Sequence, residues 1–146
     1  MGQVSTIYGV IHGYSRQHGG LDPDALNLAA LASLPESDTW PFLVRSMFAM
    51  TESGQVCVDY KSRLIHFAAS LKEVEGEWGE WIEKFERFLG KIDGTSVSLH
   101  LETEWYGNMF FEWERSKDTM DAWPPVWKFC GGPRSYEEIA ERERPK

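Results

Sequence analysis

The sequence is poor in the residues and motifs that carry most small-domain chemistry. It has two cysteines in 146 residues, Cys57 and Cys130. They form no CxxC pair and no disulfide framework, so they are expected to be reduced thiols of a cytosolic protein. Neither makes a good nucleophile. Cys57 sits in the apolar run Val56-Cys57-Val58, with no lysine or arginine immediately beside it to lower its pKa. No apolar run approaches the roughly 20 residues needed to cross a bilayer. The opening Met-Gly-Gln-Val-Ser-Thr-Ile-Tyr lacks the basic start and apolar region of a signal peptide. The expected location is therefore the cytoplasm, away from the membrane. GxGxxG, Walker A, GxSxG, HExxH and HxH are also missing, and no cofactor is expected.

Acidic and basic residues are balanced everywhere except in one region. Residues 73–121 hold 13 acids and 5 bases, while residues 1–72 hold 6 and 5, and residues 122–146 hold 4 and 5. The whole net charge of −8 thus resides in the central segment. An acidic surface repels phosphate, which argues against direct binding to nucleic acid or an anionic membrane and favours a basic protein partner.

What is abundant is aromatic. Seven tryptophans and 42% hydrophobic residues exclude a disordered chain and suffice for one domain with a real core. Residues 4–14, VSTIYGVIHGY, alternate as a strand, with Ile7 and Ile11 on one face and Tyr8, Val10, His12 and Tyr14 on the other. Asp22-Pro23 starts a helix as N-cap and first helical residue, and Pro35 lies just past its end near Ser33. Residues 44–50 read as a second strand, residues 55–60 can add a short one, and RLIHFAASL (63–71) is a third.

The clearest element is EGEWGEWIEKFERFLG. Trp78, Trp81, Ile82, Phe85 and Leu89 fall on one helical stripe that packs on a sheet, and Gly90 ends it. Val97 to Trp105 then alternate with Ser96, Ser98, His100, Glu102 and Glu104. Tyr106-Gly107-Asn108 is turn chemistry. Met109 to Arg115 return as an antiparallel partner, with Phe111 and Trp113 on one side and Phe110, Glu112 and Glu114 on the other.

The expected fold is α+β: a mainly antiparallel sheet with two helices on one face, in a ferredoxin-like arrangement, followed by an irregular C-terminal arm. Residues 1–134 form the domain. Residues 135–146 are a short helix or tail that opens with a capping box at Ser135-Tyr136-Glu137-Glu138.

Two functional readings compete. In a ferredoxin-like sheet the first and third strands are neighbours and the fourth flanks the first. His12, His66, His100 and Glu102 would then share the open face, as candidates for a divalent metal or for acid–base chemistry. The other reading is a binding surface. Glu102, Glu104, Glu112 and Glu114 are interleaved with aromatics that include Tyr106 and Phe110. Aromatic residues anchor interfaces, and carboxylates steer a basic partner.

The strands STIYGVIHG and RLIHFAASL, the acidic helix EWGEWIEKFERFL and the strand LHLETEW together resemble the layout of small bacterial immunity proteins of polymorphic-toxin systems. The resemblance covers roughly residues 4–114. It implies a cytosolic, non-enzymatic inhibitor that binds and occludes a cognate protein toxin, and it transfers no binding residues.

Overall fold

A computed structural model describes residues 4–14, 23–50, 62–116, 118 and 122–142. Cys57, the strand expected at 55–60 and the Asp22 cap lie outside them. The elements are β1 (Val4–Tyr14), α1 (Pro23–Ala32), β2 (Phe48–Met50), β3 (Ser62–Lys72), α2 (Trp78–Leu89), β4 (Ser96–Glu102), β5 (Asn108–Arg115), β6 (Trp127–Gly131) and α3 (Tyr136–Arg142).

The sheet runs β2-β3-β1-β4-β5-β6, and every neighbouring pair is antiparallel. Its first four strands, with α1 and α2, make the β-α-β-β-α-β order of the ferredoxin-like expectation. β3 lies beside β1, and β4 lies on the other side of β1. The hairpin β4–β5 then extends the sheet, and β6 extends it further. The C-terminal arm is therefore partly a strand: Trp127 pairs with Arg115 and Phe129 with Trp113, past a bulge at Glu112/Trp113. The second strand is shorter than expected. Residues 45–47 form a 3-10 turn, with the Met47 amide on the Val44 carbonyl, and pairing with β3 begins only at Phe48.

Alternation along each strand decides what is core. Ile7, Ile11, Ile65, Phe67, Val97, Leu99, Leu101, Met109, Phe111 and Trp113 all face α2 and are buried. The helix answers with Trp78, Trp81, Ile82, Phe85, Phe88 and Leu89, also buried. Trp78 and Trp81 stack at 5.1 Å, and Phe85 meets the edge of Trp113 at 5.2 Å. At about 25 cal/mol per Å² of apolar surface, such rings dominate the stabilisation of the domain.

The buried indole N–H groups all find acceptors. Trp78 donates to the Pro133 carbonyl, Trp81 to the Phe42 carbonyl and Trp113 to the Glu86 carboxylate. α1 is fixed by a reciprocal pair, in which the buried Asn27 side chain donates to the Asp93 carbonyl and accepts from the Asp93 amide. Gly9 is required for close approach: a Cβ there would stand 2.2 Å from the Ser98 carbonyl oxygen on β4. α3 docks through Ile139, which is fully buried. Its start departs from a simple capping box. Ser135 Oγ accepts from the Glu138 amide, but the Glu138 carboxylate reaches back to the Arg134 amide.

Candidate functional site

The sheet face away from α2 is open, and the register places His12, His66, His100, Glu102, Phe110, Glu112 and Glu114 on it. Tyr8 of β1, His100 of β4 and Phe110 of β5 lie directly opposite one another on three adjacent strands. The Tyr8 and His100 rings stack with centroids 4.8 Å apart, and His100 meets Phe110 at 4.9 Å. Phe110 is 44% exposed. Glu102 accepts the Tyr8 hydroxyl at 2.8 Å, and that hydrogen bond holds the phenol above its ordinary pKa, because ionisation would set two anions side by side. Glu112 and Glu114 follow Phe110 along β5, both exposed.

His12, His66, His100 and Glu102 share the open face, as the alternation implied. The register nevertheless keeps the three histidines from converging. His66 lies opposite Val10 and His12 opposite Leu64, so these two are diagonal neighbours. Val10 is in turn opposite Ser98, two residues short of His100. From strand spacing and rise, the His100 backbone is roughly 12 Å or more from the other two histidines. Zinc ligands must each approach within about 2 Å of one ion. Among the described residues, no group of three His, Cys, Asp or Glu side chains could hold a metal. Cys130 is exposed on β6. Partial burial, then its hydrogen bond to Glu114, pushes the thiol pKa up, away from a reactive thiolate.

The hairpin tip differs from the alternating strand expected through Trp105. β4 ends at Glu102 because Thr103 closes a turn: its hydroxyl donates to the Gly107 carbonyl and accepts from the Tyr106 amide. Gly107 takes a left-handed φ of 77°. Trp105 consequently leaves the core side and is 67% exposed, the most exposed large apolar side chain among the described residues. Glu104 accepts the Val4 amide at 3.2 Å. Tyr106 turns away from the open face and is half-buried, its hydroxyl 2.6 Å from that of Tyr136 on α3. That hydrogen bond raises the Tyr106 pKa, and nearby Glu75 and Glu73 add to the effect.

The six expected partner-binding residues thus divide. Glu102, Phe110, Glu112 and Glu114 lie on the open face, Glu104 lies at the sheet's end, and Tyr106 belongs to a groove beneath the turn. Sequence reasoning missed Tyr8, the tip position of Trp105 and the groove itself. Only the period-2 pattern of β1 pointed to Tyr8 as an outward residue.

No protein-family model, no curated protein and no solved structure matches the chain. Among the described residues, no helix is long and apolar enough to cross a membrane.

Proposed function

We propose that this protein is a cytosolic inhibitor of the immunity type, which binds and neutralises a basic cognate toxin through an acidic, aromatic surface centred on the β4–β5 hairpin. The observation that carries this is the coincidence of charge and exposure. The acidic segment 73–121 includes both hairpin strands, and Glu104, Glu112 and Glu114 are exposed beside exposed Trp105 and Phe110. Such a surface steers a basic protein by charge and holds it by aromatic burial. In this reading it covers the toxin's basic active site, where its carboxylates stand in for an anionic substrate.

The test is capture of the product of the adjacent gene by the tagged protein, together with survival of cells that co-express the two. A stable complex and protection from toxicity are expected. A neighbour that neither binds nor harms the cell would remove the proposal.

A further inference from the structure

At the end of the sheet where β1 begins and β3 and β4 finish, the hairpin turn overhangs a groove of about 540 Å³. Its walls include Trp40, Trp105, Tyr106 and Tyr136, and Glu73 and Glu77 line it with them. Four chain segments, remote in sequence, bring these aromatic rings and carboxylates together.

The lining is held in place before any ligand arrives. Lys84 of α2 donates to the Asp38 carboxylate and to the Thr39 and Pro41 carbonyls, all at 2.8–2.9 Å, which clamps the backbone on both sides of Trp40. The Tyr106–Tyr136 hydroxyl bond ties the hairpin to α3. Glu75, in the turn before α2, is buried and hydrogen-bonded to Ser5. That contact anchors the turn on which Glu73 and Glu77 stand exposed.

Acids before a helix are favoured by its dipole, so Glu75 and Glu77 alone would need no ligand. The dipole does not explain why Trp40 and Trp105 present their rings to solvent at 38% and 67% exposure around them. Indole faces attract cations, and a desolvated carboxylate needs one. An apolar occupant would leave Glu73 and Glu77 unpaired. Lys72, which also lines the groove, offsets only part of the negative charge of Glu73, Glu75 and Glu77.

We propose that this groove receives the guanidinium of an arginine side chain from a basic protein partner. Arginine fits better than lysine because its planar head stacks flat on an indole while its N–H fork meets carboxylates. The assignment rests on the proposed role as a binder of a basic protein, and it adds a specific anchor outside the open face.

The test uses the whole protein and an N-acetylated, C-amidated Gly-Arg-Gly peptide, followed by NMR of the Trp40 and Trp105 indole N–H signals. Saturable shifts at these two signals are expected. Trp105→Ala and Glu73→Gln/Glu77→Gln should each weaken binding at least about fivefold, with the unfolding midpoint unchanged for the exposed Trp105 and lowered only slightly for the glutamine pair, which gives up the helix-dipole contribution of Glu77. The same peptide with lysine should bind more weakly, and with citrulline, which keeps the shape without the charge, not measurably. No saturable shift, equal binding of the citrulline or lysine peptide, or undiminished binding by Glu73→Gln/Glu77→Gln would overturn the proposal. The peptide result is independent of the capture experiment, so a toxin that fails to bind removes the inhibitor role while the groove is judged separately.

Discussion

The two faces of the one sheet show how differently neighbouring residues are used. Phe110 and Phe111 are consecutive on β5. Phe111 is fully buried against Trp78, with ring centroids 5.0 Å apart, whereas Phe110 is 44% exposed and meets the His100 ring on the open face. Glutamates divide in the same way. Glu86, on α2, accepts two hydrogen bonds from Arg134 and one from the Trp113 indole, and so ties the C-terminal arm to helix and sheet. Glu112, on the open face, stands exposed beside Phe110. The covered face commits its aromatics and this carboxylate to the fold, and the open face leaves Phe110 and Glu112 exposed.

The largest test of that contrast is the paired substitution. Phe111→Ala should cost about 3–5 kcal/mol of unfolding free energy, as for a large ring removed from a packed core. Phe110→Ala should cost no more than about 1 kcal/mol, the worth of one ring contact at the surface. Urea denaturation measures both, and equal losses would erase the distinction between the faces.

A smaller effect comes from Glu86. Burial alone would raise its pKa, but the Arg134 guanidinium and then the Trp113 indole outweigh burial and hold the carboxyl below its ordinary value of 4.5. A carboxyl depressed in the folded state contributes stability above its unfolded pKa and loses it as pH falls through the folded one. Glu86→Gln should therefore be less stable than wild type at pH 6 by about 1 kcal/mol, a modest figure because Glu86 and Arg134 retain 33% and 40% exposure. The gap should close as the pH drops below 4.5, and thermal melts of the two proteins across pH 6 to 3 measure it. A gap that widened on acidification would contradict the assigned pairing.

The smallest effect on stability is expected on the open face. Glu112→Lys/Glu114→Lys should change unfolding free energy by no more than about 0.5 kcal/mol per site. A larger loss would mean that these carboxylates serve the fold.

How much of this could be read from the chain follows from the range of each interaction. The α2 stripe was legible because Trp78, Trp81, Ile82, Phe85 and Leu89 repeat at the helical period. The facing of β1, β3 and β5 was legible because alternation records the side each residue takes, and the open-face histidines followed from it. β6 was not, since Trp127 to Gly131 is short, lies between a Pro-Pro and a Gly-Pro, and pairs across a bulge. Trp105 leaves the side its alternation implies because the turn starts at Thr103, three residues before the turn chemistry at Tyr106. The separation of His66 from His100 depends on register, which a pattern of faces does not contain. The groove was invisible, because Trp40, Glu73, Trp105 and Tyr136 meet only through tertiary packing.

The most direct measurement of the central claim is the association rate of the captured toxin with wild type and with Glu112→Lys/Glu114→Lys, at low and high salt. If the open acidic face receives the partner, charge reversal slows association at low salt about tenfold or more, salt slows wild type far more than the variant, and both proteins melt alike. Equal rates for the two proteins at low salt would place the interface elsewhere.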